Sequence, residues 1–212
     1  MAFDFKKEYK EFYLPKQRPE IIDVPNMKYI AVRGKGNPNE EDGEYKQSIA
    51  MLYAIAYTIK MSRKGDHRIE GYFDFVVPPL EGFWWQEGLN GFDHNRKDEF
   101  RWISCIRIPG FVDEEDLEWA KAEALRKKKL DCSIVELLSI EEGECVQIMH
   151  VGPYDDEPAS VALMDELLAS AGYENDFSET RRHHEIYLSD ARRVEPEKWK
   201  TVIRHPVRKM LP

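Results

Sequence analysis

Apolar and polar residues alternate along one stretch of the chain, then recur at three- and four-residue intervals, and the cycle runs twice. In MKYIAVRGKG, residues 27–36, the alternation predicts a strand that breaks at Gly34 and Gly36. DGEYKQSIAMLYAIAYTIKMSR follows, with Ile49, Leu52, Tyr53, Ala56 and Ile59 at helical spacing. GYFDFVVPPLE and DEFRWISCIRIPG then read as two strands, each ending at a proline that cannot donate to a ladder. The cycle restarts at CVQIMHVGPYDDE. PASVALMDELLASAGY reads as a helix ended by Gly172, and HHEIYLSD and WKTVIRHPV as two further strands.

The unit is β-α-β-β used twice, with matching local endings, IRIP at 106–109 and IRHP at 203–206. Between the copies, VDEEDLEWAKAEALRKKKL predicts an amphipathic helix that starts in acids and ends in bases, as the helix dipole favours. The expected organisation is one α+β domain over residues 1–212: a first repeat over 22–110, a connecting helical region over 111–142 and a second repeat over 143–212. Antiparallel strands with helices on one face leave a concavity where such repeats meet, and pockets favour such junctions.

Charge and composition remove several function classes. The 31 Lys and Arg against 40 Asp and Glu give a net charge of -9, which repels a phosphate backbone, so no direct nucleic-acid partner is expected. No stretch approaches the ~20 apolar residues that span a bilayer. MAFDFKKEYKEFY lacks a signal-peptide core, so a cytoplasmic protein without membrane association is expected. Cys105, Cys132 and Cys145 include no CxxC pair and are expected as buried, reduced thiols.

Candidate chemistry gathers at three places. PPLEGFWWQEGLNGF reads as a glycine-jointed loop carrying Phe83, Trp84, Trp85 and Phe92, which either plugs a core or clasps a planar ligand. HVGPYDDEP crowds His150, Tyr154 and Glu157 into a strand-to-helix turn, where Glu157 is either a helix-start charge or a pocket carboxylate; Asp155 and Asp156 are expected to cap the helix. In RRHHEIYLSD, alternation puts His183, Glu185 and Tyr187 on one face and His184, Ile186 and Leu188 on the other. Glu185 is then either solvated or aimed into a site. Aligning YFDFVV with HHEIYL sets Asp74 opposite Glu185. His183 and His184 point to opposite faces, and His67 and His94 stand alone in loops, so no metal site is expected. No nucleophile elbow, phosphate loop or dinucleotide fingerprint occurs, and no cofactor is called for.

MHVGPYDDEPASVALMDELLASAGY followed by HHEIYLSDARRVEPEKWKTVIRHPV resembles the GyrI-like small-molecule-binding domain, which also forms the effector-binding part of multidrug-sensing transcription regulators. The resemblance implies tandem β-α-β-β units, with a pocket between them and a glutamate at Glu185 facing bulky, often cationic, aromatic ligands. FDFKKEYKEFYLPKQRPEIIDVPNMKYIAVRGKGNPN and EGFWW are similar to the stand-alone branch of that family. That branch hydrolyses the cyclopropane ring of cyclopropanoid DNA-alkylating natural products and protects cells from them. Its catalytic glutamates carry over to Glu157 in YDDEP and Glu185 in HHEIY.

The implied reaction adds water to a strained ring conjugated to a carbonyl. A carboxylate takes a proton from the attacking water, aided by an apolar pocket. Tyr154, Tyr187 or His150 is a candidate donor to the oxygen that gains charge. Trp84 and Trp85, with Phe83 beside them, would stack on the planar substrate, and Tyr53 and Tyr57 would line the wall. Two other functions stand beside hydrolysis: sequestration of cationic or planar drugs, and inhibition of a protein, since the family's namesake acts on DNA gyrase. The acidic residues form no concentrated tract that would mimic DNA. Nothing in the pattern implies a particular oligomeric state.

Overall fold

Residues that alternate in sequence must hide one side of a pleat. In the computed structural model, which describes residues 2–89, 93 and 96–210, they do so in one large antiparallel sheet. Phe92 and His94 lie outside the described residues.

The strands are β1 (Glu20–Val24), β2 (Met27–Lys35), β3 (Leu80–Trp85), β4 (Arg101–Arg107), β5 (Glu136–Ile140), β6 (Gly143–Val151), β7 (Tyr173–Asn175), β8 (His183–Tyr187) and β9 (Lys200–Lys209). Their order across the sheet is β1-β6-β9-β8-β3-β4-β2-β5, with β7 pairing with β9. Helices are α1 (Phe5–Glu8), α2 (Lys10–Tyr13), α3 (Glu44–Met61), α4 (Glu114–Lys128) and α5 (Glu157–Ala171). β3 and β8 join the two halves, with Gly82 opposite Glu185 and Trp84 opposite His183.

Register shows which face the helices cover. Ser104 on β4 pairs with Gly82, Gly82 with Glu185, and Glu185 with Ile203 on β9, so all four share one face. Ser48 on α3 hydrogen-bonds Ser104 at 3.2 Å, while Met164 and Leu168 of α5 pack with Ile203. Helices α3 and α5 therefore lie on that face, and the β3–β8 seam runs between them. The N-terminal segment covers the reverse face: Arg204 Nη2 donates to the Phe12 carbonyl at 2.9 Å, and Gln147 Nε2 to the Glu11 carbonyl at 2.7 Å.

The first half departs from expectation at its inner strand. The strand expected over GYFDFVVPPLE lies instead at Leu80–Trp85, and the supposed tryptophan loop is that strand. Pro78 and Pro79 have no N–H to give, so the ladder forms after them rather than before. The stretch upstream makes one isolated bridge, Phe3 to Phe75. Asp74 accordingly does not oppose Glu185, which faces Gly82; it pairs with Lys60 at 3.5 Å and Arg63 at 3.4 Å.

Helix boundaries follow local chemistry. α4 begins with a reciprocal capping box between Asp113 and Asp116. α5 ends at Gly172, whose φ of 73° is left-handed. The expected aspartate capping of α5 is absent. Asp156, at φ -94° and ψ -2°, already turns helically and makes no side-chain cap bond, because a capping side chain reaches back only from extended backbone. The three cysteines are buried and free. No helix among the described residues is long and apolar enough to cross a membrane.

Under the seam, the reverse face buries an ionic network. His184 Nδ1 lies 3.1 and 3.0 Å from the two Glu142 oxygens, and its Nε2 makes a 3.0 Å ion-pair contact with Glu81, off the line of a hydrogen bond. Arg204 Nη1 donates to Glu142 at 2.8 Å, and Tyr13 donates to Glu81 at 3.1 Å. Burial pushes the Glu142 carboxyl up, but His184 and Arg204 outweigh it and hold it at about 2. Burial opposes charge on His184, and Glu142 and Glu81 reverse that and raise its pKa.

Glu142→Ala leaves Arg204 a buried cation without its carboxylate and His184 with Glu81 alone, and is expected to cost about 3–5 kcal/mol in urea unfolding at neutral pH. The two partners give different pH windows. The contribution of Glu142 is present above its ordinary 4.5 and lost as pH falls toward 2. That of His184 is full below its ordinary 6.5 and lost as pH rises through its raised value.

Candidate functional site

Helices on both flanks of an uncovered seam make a trough, and here it is a cleft of about 2180 Å³. One wall is a stripe of α3 at four-residue spacing, Tyr45, Ile49, Tyr53 and Tyr57. The floor is β3 and β8, contributing Trp84, His183, Glu185 and Tyr187, and Trp85 stands toward the rim under the Arg182 guanidinium, 3.5 Å from the ring centre. Tyr154, Glu157 and Val161 close the other side.

Gly82 makes the floor flat. A Cβ there would meet Trp84 Nε1 at 2.6 Å and the Tyr187 hydroxyl at 3.1 Å. Without one, Trp84 Nε1 donates to the Tyr187 hydroxyl at 2.9 Å. Burial, with the nearby charge of Glu185, pushes the phenols of Tyr187 and Tyr154 well up, so both stay neutral.

The two glutamates reach the cleft differently. Glu185 projects from β8 by strand alternation. Glu157 arrives by way of a sharp turn: Gly152 at φ 143° ends β6, and the one-turn 3-10 helix Tyr154–Asp156 runs straight into α5. Glu157 is buried, and its Oε1 has no hydrogen-bond partner among the described residues. Burial first, then the charge of Glu185, then Asp155 raise its pKa well above the ordinary carboxyl value. Glu157, Glu185 and His183 each bring an oxygen or nitrogen within 4.8 Å of the others.

Those three are ligand types that a divalent cation accepts. The opposed His183 and His184 and the loop histidines His67 and His94 give no hint of this trio, which the fold assembles from β8 and the start of α5. As they stand, His183 Nε2 and Glu185 Oε1 are 2.9 Å apart, a hydrogen-bond distance, whereas two ligands of one tetrahedral zinc stand about 3.3 Å apart.

Of the residues singled out in the sequence, Tyr53, Tyr57, Trp84, Trp85, Tyr154, Glu157, Glu185 and Tyr187 line the cleft. Phe83 and His150 do not. Once residues 80–85 form a strand, Phe83 points to the reverse face, where it stacks on His184 at 3.9 Å. The ring nitrogens of His150 are held by Ser160 Oγ at 2.9 Å and the Pro153 carbonyl at 3.0 Å, so it braces the turn instead of lining the cleft. Tyr45, Arg182 and His205 were missed. Tyr45 was visible as the head of the tyrosine stripe at 45, 53 and 57; nothing local marks Arg182 or His205.

Similar proteins fit this picture. A hydrolase from Listeria innocua is 51% identical, with a TM-score of 0.89, over 98% of this chain and 100% of its own. A hydrolase encoded by lin2189 from the same organism is 53% identical, with a TM-score of 0.91 over the same shares. The C-terminal domain of EcmrR shares the fold alone, at 13% identity and a TM-score of 0.56 over 91% of this chain and 98% of its own. No curated protein matches the chain. The GyrI-like small molecule binding domain matches residues 17–208, and with the trough between two helix-flanked halves of one sheet, this chain belongs to that family.

Proposed function

We propose that the protein is a hydrolase that adds water across the cyclopropane ring of planar, DNA-alkylating cyclopropanoid compounds and so protects the cell from them. The observation that carries this reading is a pair of glutamates, Glu157 buried and Glu185 half-buried, brought together at an aromatic trough. The hydrolases from Listeria innocua, more than half identical along their whole length, support the reaction class.

The chemistry follows from the pair. The substrate lies flat against Trp84, between the tyrosine stripe of α3 and the Tyr154 side, with its strained carbon toward the glutamates. A water between them has two partners: Glu185 accepts one of its protons, and the Glu157 carboxyl accepts a hydrogen bond from the other. The water oxygen bonds to the ring CH2 as the carbon–carbon bond to the spiro centre breaks. That electron pair passes through the conjugated ring to the carbonyl oxygen, making a phenolate that takes a proton from solvent at the open mouth. Glu185 returns its proton to solvent, and the net change is one water added.

Burial and the charge of Glu185 favour the protonated form of Glu157, and that form adds no second negative charge beside the developing anion. Tyr154 and Tyr187 sit beside the carboxylates, so we assign them to holding Glu185 and the near edge of the substrate.

The test is incubation with a duocarmycin-type cyclopropanoid in molar excess over protein, followed by mass spectrometry. Ring-opened water adduct exceeding the protein in amount is expected. Saturable binding with the compound recovered intact would replace hydrolysis by sequestration.

A further inference from the structure

Behind Glu185 a polar chain continues that the reaction as drawn leaves unused. Glu185 Oε1 lies 2.9 Å from His183 Nε2, and His183 Nδ1 lies 2.7 Å from His205 Nε2. His205 Nδ1 is buried and has no hydrogen-bond partner among the described residues. The two imidazoles meet at 4.9 Å between ring centres, and Phe177 packs on His205 at 5.0 Å. Both histidines are buried.

A 2.7 Å contact between two ring nitrogens holds one proton, so settling the tautomer of either ring orders the whole chain. His205 is buried and makes no ion pair among the described residues, and burial foremost favours its neutral ring. Its one N–H is at Nδ1 or at Nε2. At Nδ1 it would be a buried donor facing nothing, which folded proteins rarely tolerate. At Nε2 it donates to His183, and the cost is an unfilled lone pair at Nδ1, the milder defect. His183 Nδ1 is then an acceptor, and the His183 proton sits on Nε2, aimed at Glu185.

We propose that His205 and His183 are positioning residues: His205 Nε2–H donates to His183 Nδ1, and His183 Nε2–H donates to Glu185 Oε1, marking Glu185 as the member of the glutamate pair that accepts the proton of water. The inference rests on the hydrolase reading of the cleft. It explains why two carboxylates in one pocket take different roles. One Glu185 oxygen is tied back by an N–H, while no side chain among the described residues ties Glu157 Oε1.

The test uses the intact protein. Nitrogen-15 NMR of the histidine side chains, without substrate, is expected to show both rings as Nε2–H tautomers. His205→Gln keeps an N–H where the Nε2–H stands and is expected to retain most of the turnover. His205→Leu removes it and is expected to lower kcat by about tenfold to a hundredfold at nearly constant KM. An Nδ1–H on either ring overturns the proposal, as do equal losses in the two variants or a loss confined to KM. If the wild type turns nothing over, the hydrolase reading fails by itself, and the tautomers still decide the order of the chain. If His205→Leu does not fold, His205→Gln and the NMR spectrum carry the decision.

Discussion

Glu185→Gln is expected to lower kcat for ring opening by about 10²–10⁴-fold, the share a positioned general base supplies, with KM nearly unchanged. The amide has the size of the carboxylate and still accepts from His183, so the floor and the ligand's seat persist. What it lacks is basicity toward water. Single-turnover absorbance at saturating substrate reads the effect, and circular dichroism with thermal unfolding shows that the fold is intact. A variant as fast as the wild type would remove Glu185 from the mechanism.

Glu157 predicts the opposite pattern. Glutamine there is neutral and keeps an acceptor oxygen, so Glu157→Gln is expected to turn over much as the wild type does at neutral pH. Glu157→Ala, which leaves the water with one partner, is expected to lose about tenfold to a hundredfold. Stability should move the other way. The folded protein holds a proton on Glu157 that the unfolded chain releases, because burial and Glu185 raise its pKa well above the ordinary 4.5. The stability contribution of that protonated carboxyl is therefore full below about pH 4.5 and lost as pH rises through the raised value. Glutamine has no proton to lose, so Glu157→Gln should gain stability over the wild type as pH rises. Urea unfolding of both proteins across that range tests it. A variant less stable at every pH would return Glu157 to the role of a helix-start charge.

Much of the frame was legible because periodicity is local. The helical spacing of α3 and α5 and the alternation of β2, β4, β6, β8 and β9 are carried by neighbouring residues. Alternation on β8 alone sufficed to place His183, Glu185 and Tyr187 together. The inner strand of the first half was misplaced because Pro78 and Pro79 end one apolar run and precede another, and only the ladders with β4 and β8 select the second. Everything that depended on that boundary moved with it: Phe83 went to the reverse face, Trp84 to the floor, and Gly82 replaced Asp74 opposite Glu185.

The remaining site features are long-range. Nothing local marks Glu81 and Glu142, which are buried against His184 and Arg204, and Arg204 lies 62 residues from Glu142. His205 looks like any strand histidine until β9 lies beside β8 and sets its ring against His183. The edge strands β1 and β5 and the aromatic N-terminal segment were also unmarked, since which side of a sheet a segment covers is decided by partners and not by its own pattern.

The central claim is that water adds directly to the strained ring under the control of these two glutamates. Its most direct test is a single-turnover reaction in heavy-oxygen water, with protein in excess over a duocarmycin-type cyclopropanoid, read by mass spectrometry for the wild type and Glu185→Gln. The account predicts ring-opened product carrying one heavy oxygen from the wild type and almost none from the variant. Intact compound from both proteins, or first-turnover product bearing a light oxygen taken from a carboxylate, would contradict it.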